Sequence, residues 1–442
     1  MEVPATKDLR GFVLSVGDEL ISGLTVDTNS AWLSLRLAEA GIRVVGHATV
    51  GDDQPAIERA IAGSSAEVDL LIVTGGIGPT PDDLTREALA AVMGAPLVEH
   101  PEWTQRMEAF FRERGRVMQP GNLKQATIPE GAKLLWNPIG TAAGIEADFV
   151  HPGRPGARAT CRVIVLPGVP AEMRAMYDQH VHGWAQRQSQ ERGGRVMRMR
   201  ALHTIGLGES DVAARLDDLL RRRAEEEGLQ VGTTASRGIV SIRAYAVGEP
   251  ARAEALLDEA EAEARRALGP AIFGRDDQTL PEVVGDLLRA DPRRPVVTVA
   301  ESCTGGLLAR LITDVPGASD YFDQGFITYS NEAKSRLLGV PAALIARHGA
   351  VSEPVAEAMA VGALQRRGSE RPGVALAISG VAGPGGGTDE KPVGTVCIAL
   401  ASTFGSGDVR THRFPGDRAL IRRRSADTAL AMLRTHLLGS PV

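Results

Sequence analysis

The sequence predicts an α/β protein built in three parts. Two observations carry that prediction. Short apolar runs alternate with segments of helical apolar spacing in both the first and the last parts of the chain. The length, 442 residues, suits roughly three domains of ordinary size, each able to bury its own core. The parts are an N-terminal α/β sandwich over 1–175, a small α+β middle domain over 176–270 and a C-terminal α/β/α domain over 271–442.

In chain order, Phe12–Val16 reads as a buried strand. After GDELISG, the segment VDTNSAWLSLRLAEAG has helical spacing and stops at Gly41. A strand over Ile42–Val50 and a helix over Gln54–Ser64 follow. The run DLLIVT then leads into GGIGPTPDDLT and a helix over Arg86–Met93. Such alternation predicts a parallel sheet, whose ligands bind beyond the C-terminal strand ends. Gly17–Glu19, Asp52–Asp53 and Gly75–Thr85 fall there. A helix over Pro101–Arg114 comes next, then a loop, a strand and a Pro/Gly/Arg-rich loop over His151–Ala159 that reads as a surface hairpin tip. The strand CRVIVLPG runs into VPAEMRAMY.

From about residue 176 the character changes. A strand, the turn GLGES, an amphipathic helix over Asp211–Glu227, the strand GIVSIRAYAVG and a charged helix over Ala251–Ala267 make the middle module. A helix and a Pro/Arg connector lead to a strand over Pro295–Ala300, the turn Ser302–Gly306 and a helix over Leu307–Thr313. TYSNEAK marks another strand–helix junction. VALAIS and VGTVCIALA flank the loop GVAGPGGG, and a terminal helix runs from Asp417 to His436.

Composition narrows the function. The net charge of −6 and the 4% aromatic share argue against direct nucleic-acid binding by a basic surface or by base stacking. The three cysteines show no CxxC spacing, so neither a disulfide framework nor a zinc site is expected, and a reducing cytoplasm fits. The N-terminus lacks a signal-peptide apolar region, and no apolar run is long enough to cross a membrane.

Two stretches carry chemistry. In TVAESCTGG, Ser302, Cys303 and Thr304 stand at the mouth of a helix, where free N–H groups and the positive dipole end favour an anion or a developing oxyanion. A serine there is most often a helix cap. Lys334 and Tyr329 of TYSNEAK point beyond that, because a hydroxyl beside an amine makes a Ser–Lys nucleophile pair. Cys303 is a rival nucleophile, since helix N-termini lower thiol pKa values. No histidine lies near either motif, which disfavours a Ser–His–Asp triad. In TGGIGPTPDDLT, the glycines admit a phosphate close to the backbone. Asp82 and Asp83 make sense there if a divalent cation bridges carboxylate and phosphate oxygens. The stretch is neither GxGxxG nor a GKS/T loop, which disfavours a dinucleotide dehydrogenase and a P-loop NTPase.

TGGIGPTPDDLT, with GDELISGLTVDTNS before it and LPGVPAEM after it, resembles the molybdopterin-binding (MoaB/MogA-like) domain of the CinA family. AESCTGG, YSNEAK, ISGVAGPGGG and FPGDRALIRRR are together very similar to that family's C-terminal domain, and the middle segment is similar to its KH-like domain. GLGES lacks a GxxG clamp, which weakens an RNA-binding reading. The resemblance implies a bifunctional pyridine-nucleotide salvage enzyme. Its C-terminal domain would hydrolyse nicotinamide mononucleotide (NMN) to nicotinate mononucleotide and ammonia without a cofactor. Its N-terminal domain would be a metal-dependent ADP-ribose pyrophosphatase, with Mg²⁺ the expected ion and AMP and ribose 5-phosphate the products. Asp83 matches the Asp of the family's DxT signature, and Gly75, Gly76 and Gly78 match its glycines. Asp27, Asp52 and Asp53 are further metal candidates by position. The alternative is an N-terminal domain that binds a nucleotide or pterin without turnover, in a competence- and DNA-damage-associated interaction protein. A homodimer and a recombinase partner are also implied.

For deamidation, Ser302 is the nucleophile and Lys334 its base once burial lowers the amine's pKa. Tyr329 would hold Lys334 or relay a proton. The N–H groups of Cys303, Thr304, Gly305 and Gly306 would hold the oxyanion. The substrate phosphate would go to the loop holding Gly383, Gly385 and Gly386, with Arg418 or Arg422 as counter-charge, and Ser379 would hydrogen-bond the ligand.

Overall fold

Leu70–Thr74 is buried at every position because it lies inside a six-stranded sheet, and its sequence is accordingly apolar without alternation. The computed structural model describes residues 9–150, 160–192, 195–222 and 228–439. Edge to edge, this first sheet runs Ile42–Val50, Leu9–Val16, Leu70–Thr74, Thr160–Leu166, Gly144–Val150 and Lys133–Leu135. The first four strands are parallel, as the alternating pattern predicts. The last two are antiparallel, so the sheet is mixed. The reason is connection length: Gly144–Val150 and Thr160–Leu166 are joined too closely for a crossover and pair Val150 with Thr160. The hairpin tip expected at 151–159 lies outside the described residues.

Helices cover both faces of this sheet. Leu33, Leu37, Met173 and Tyr177 pack on one, and Ile57, Ile61 and Leu89 on the other. Val181 and Ala185 belong to the first of these cores. The boundary expected at residue 175 therefore cuts a continuous element, because Pro170–Met176 passes through Tyr177–His182 into Gly183–Glu191.

The middle sheet has the order Leu229–Ser236, Ile239–Gly248, Val196–Ile205 and Ile272–Arg275. The chain divides into two compact units rather than three, Met1–Met199 with Tyr245–Leu257, and Arg200–Ala244 with Asp258–Val442. The helix expected over 211–227 is two short ones, Glu209–Arg215 and Asp217–Arg222; residues 223–227 lie outside the described ones.

The third sheet runs Phe322–Ile327, Val296–Glu301, Gly373–Gly380, Thr395–Ser402 and Asp408–Arg413. Its first three strands are parallel and the rest antiparallel. Leu280–Ala290, Leu307–Thr313 and Arg418–Leu437 pack on one face through residues such as Val284, Leu308 and Leu433. Helix Glu353–Gln365 packs on the other through Val355 and Met359. Each such buried side chain contributes about 1.5–3 kcal/mol. This is the α/β/α domain the sequence predicts, and the parallel strands deliver Ser302, Thr328 and Ser379 to one end of the sheet. No helix among the described residues is long and apolar enough to cross a membrane.

Candidate active site

Strand Val296–Glu301 is buried throughout and ends on a carboxylate, Glu301, that is 0% exposed. The turn after it needs glycine, since Gly305 and Gly306 take φ of 56° and 94°. Glu301 then reaches under the turn to the next helix. Its Oε2 accepts from the N–H groups of Gly306 (2.9 Å) and Leu308 (3.1 Å), and its Oε1 from Ala309 (2.8 Å). The expectation of free N–H groups from Cys303 through Gly306 is corrected by this cap. Gly306 is engaged by Glu301, and Gly305 donates to the Ser302 carbonyl at 3.0 Å. Among the described residues the N–H groups of Cys303 and Thr304 meet no acceptor from another residue and are the ones left for an oxyanion. An acidic residue just before a helix start is a recognisable capping signal, but the neighbouring hydroxyls overshadowed it in the sequence.

Lys334 comes from helix Asn331–Leu338, whose start is capped by Ser330 accepting from the Ala333 N–H at 3.1 Å. That cap turns Lys334 inward, where it is 1% exposed. Its Nζ lies 3.1 Å from Ser302 Oγ, 2.9 Å from the Thr328 carbonyl and 3.4 Å from the Tyr329 carbonyl. Burial pushes the Lys334 amine below the usual lysine range, against the opposing pull of Cys303 and Glu332. A neutral amine has two N–H donors and one lone pair. Two carbonyls and a serine hydroxyl match that set.

Other expected roles change. The Tyr329 phenol does not hold Lys334; it is exposed and accepts from Arg418 Nη2 at 2.9 Å, while only its backbone carbonyl meets the lysine. Cys303 is packed in the apolar core, and burial pushes its thiol up to about 11, the reverse of an activated thiolate. Ser379 is buried and donates to the Ala350 carbonyl at 2.7 Å, so its proton is not offered to a ligand. Arg418 and Arg422 both reach the site region, at different places. Arg418 Nη1 donates to Gly383 O at 2.7 Å, and Arg422 Nη2 to Thr304 O at 2.6 Å. In the Gly-rich loop, Gly383 and Gly386 take positive φ, and a side chain at Gly385 would meet nothing within 4 Å, which leaves that loop open to a ligand.

The first unit holds a cleft of about 560 Å³ at the C-terminal strand ends, with Glu19, Asp52, Gly75, Gly76, Gly78, Asp82 and Asp83 among its walls. Asp83 braces the loop: Oδ1 accepts from Gly78 N–H at 2.7 Å, and Oδ2 from Thr80 N–H at 2.8 Å and from the Thr80 hydroxyl. Buried Arg86 takes the Ile77 and Gly78 carbonyls at 2.5 Å each. Gly75 donates to Leu166 O, and among the described residues the N–H groups of Gly76 and Ile77 meet no acceptor beside the cleft. Asp27 and Asp53 cap helices instead of facing a metal. Asp27 accepts from Ser30 N–H and hydroxyl (2.9 and 2.6 Å), and Asp53 from Ala56 N–H (2.9 Å). Burial pushes the Asp27 carboxyl up, but those Ser30 bonds outweigh it and leave it below the usual range. Asp52 is held above that range by burial and then by the like charges of Asp18, Glu19 and Asp82, against a hydrogen bond from Asp18 N–H. Among the described residues no three His, Cys, Asp or Glu side chains converge to hold a metal. The donor set therefore fits a cation that keeps its waters and takes one or two carboxylates plus substrate phosphates, not a closed protein cage.

Comparison with known proteins sets this geometry in a lineage. The family model described as "CinA C-terminal domain" matches residues 277–437, "Probable molybdopterin binding domain" matches 12–187, and "Damage-inducible protein CinA KH domain" matches 199–274. A putative competence-damage inducible protein of Symbiobacterium thermophilum is 44% identical over 437 residues, covering 96% of this chain and 98% of its own. The chain belongs to the CinA family. A CinA-like protein of Geobacter sulfurreducens is 43% identical over 427 residues, again with 96% and 98% coverage. Among solved structures, the competence/damage inducible protein CihA from Agrobacterium tumefaciens is 40% identical, covering 36% of this chain and 95% of its own, with a TM-score of 0.34. The molybdopterin-domain match to residue 187 agrees with the core of the first sheet, which extends to Ala185.

Proposed function

We propose that the C-terminal domain is an NMN amidohydrolase with Ser302 as nucleophile and Lys334 as base. One observation carries the reading: a buried lysine amine, its pKa lowered by burial, lies 3.1 Å from the hydroxyl of Ser302. Neutral Lys334 takes the Ser302 proton as Oγ attacks the carboxamide carbon. The oxyanion accepts from the N–H groups of Cys303 and Thr304. Collapse breaks the C–N bond, and the proton on Lys334 leaves with the amide nitrogen as ammonia. Lys334 then deprotonates water, which cleaves the acyl ester to nicotinate mononucleotide and restores Ser302. Arg418 and the loop at Gly383 take the substrate phosphate. The test is Ser302→Ala: ammonia release from NMN should vanish while the fold, by circular dichroism, is kept. Full activity in that variant sinks the assignment.

The N-terminal cleft is proposed to be a metal-dependent ADP-ribose pyrophosphatase. The unpartnered N–H groups of Gly76 and Ile77 would take phosphate oxygens. Of the cleft carboxylates, Asp52 and Asp82 would supply one or two ligands to a hydrated divalent ion, which when bound would neutralise the diphosphate and favour P–O cleavage. One observation favours a second reading, in which this domain binds a nucleotide or pterin without turnover: both Asp83 oxygens are engaged by the loop itself. Incubation with ADP-ribose and Mg²⁺ or Mn²⁺ separates the two. AMP and ribose 5-phosphate support hydrolysis; no AMP with either metal supports binding alone.

A further inference from the structure

Arg418 and Arg422 lie one helical turn apart, yet only Arg418 meets the Gly383 loop. Arg422 lines a separate cleft of about 640 Å³, together with Arg237, Arg310 and Arg423, against the backbone of Gly305 and Gly306. Arg418 is not part of that wall. Four guanidinium groups face one carboxylate there, Asp417, which already caps its helix by accepting from Leu420 N–H at 2.8 Å. Arg310 has only exposed Asp314 at 3.5 Å, Arg423 pairs with buried Asp427 at 2.8 Å, and Arg422 keeps a buried Nε without a partner. Among the described residues the cleft is therefore left with an excess of positive charge.

Arg237 sharpens the point. It comes from the hairpin turn Arg237–Gly238, where both residues take positive φ (55° and 89°). Such two-residue turns favour Asn-Gly or Gly-Gly, because a long side chain is strained at positive φ. An arginine holds that position against the local backbone preference. It lies on the cleft wall, where among the described residues no carboxylate is within ion-pair distance and only Asp427, already paired with Arg423, acts on it from farther off. Strained positions of this kind concentrate where a side chain has a use.

We propose that this cleft is a second anion site, separate from the phosphate position at Gly383, and that it takes a phosphate-bearing small molecule. Guanidinium forks match phosphate oxygens in bidentate pairs, and like charges on a concave wall focus the field on an entering anion. The volume exceeds what one phosphate fills, so a diphosphate or nucleotide is the expected class. Because Arg422 also donates to Thr304 O, the bound anion shares a residue with the nucleophile turn.

The test is calorimetric titration of inorganic pyrophosphate into the full chain at low salt with EDTA. The wild-type protein should bind. Arg237→Asn suits the turn, so it should keep or raise the melting temperature while weakening binding by about tenfold or more. Arg310→Gln, on a surface helix, should act in the same direction. Arg418→Ala should retain an Arg237-dependent binding event, and Ser302→Ala should bind as wild type, so failure of the deamidase reading would not touch this one. Absence of binding, or binding lost in Arg418→Ala and unchanged in Arg237→Asn and Arg310→Gln, overturns the proposal.

Discussion

Lys334 Nζ stands 3.1 Å from Ser302 Oγ although 32 residues separate them in the chain. Parallel pairing of Val296–Glu301 with Phe322–Ile327 makes the meeting, because both strands end at the same edge and each feeds a short turn into a helix. The contact is buried at both ends, so water does not screen it.

Lys334→Met should lower the rate of ammonia release from NMN by about 10²–10⁴-fold, the usual worth of a general base. Wild-type activity should rise with pH as Lys334 loses its proton, at a pH below the ordinary lysine value of about 10.4. The same group links pH to stability. Its folded pKa is lowered, so between the folded and unfolded values the unfolded chain binds more protons, and stability rises with pH through that window. The gain is about 1.4 kcal/mol for each unit of lowering. Urea unfolding at pH 7 and pH 10 should show this rise as a difference between the wild type and Lys334→Met, since the buried thiols, raised by burial, lower stability toward pH 10 in both.

Tyr329→Phe should leave the base in place, because Lys334 meets the Tyr329 carbonyl and not its phenol. What it removes is the hydrogen bond from Arg418. The expected result is a raised KM for NMN with kcat within about threefold of wild type. A collapse of kcat with unchanged KM would return the phenol to proton transfer.

Glu301→Ala should destabilise the C-terminal domain by on the order of 3 kcal/mol, since it leaves the buried N–H of Leu308 and the part-buried ones of Gly306 and Ala309 without their charged acceptor. Glu301→Gln keeps one acceptor oxygen and should cost about half as much. Thermal unfolding of the two variants checks the order.

Asp83→Asn should lower the melting temperature of the N-terminal unit, because an amide cannot accept from both Gly78 and Thr80 as the carboxylate does. The loss should be about 1–3 kcal/mol. Unchanged melting with lost ADP-ribose cleavage would make Asp83 a metal ligand instead of a loop brace.

Much of the fold was readable from the chain. Helix Leu307–Thr313, the strand before it and the terminal helix all follow from apolar spacing, glycine stops and capping residues. The mixed strand directions and the domain edge near Ala185 did not, because both depend on pairings between distant segments. In the site, Ser302 and Lys334 were nameable from their motifs. The capping by Glu301 and the partners of the Tyr329 phenol and the Asp83 carboxylate rest on contacts that local sequence does not carry.

The sequence by itself determined which residues are present at each turn and which class of element surrounds them, since periodicity and capping are local properties. Only the tertiary structure decided what each polar group does. A hydroxyl, a carboxylate or an N–H can serve a ligand or a neighbouring backbone, and burial forces whichever partner is nearest. That is why Glu301, Asp83, Asp27 and Asp53 secure the backbone, while Ser302 and Lys334 are left facing each other.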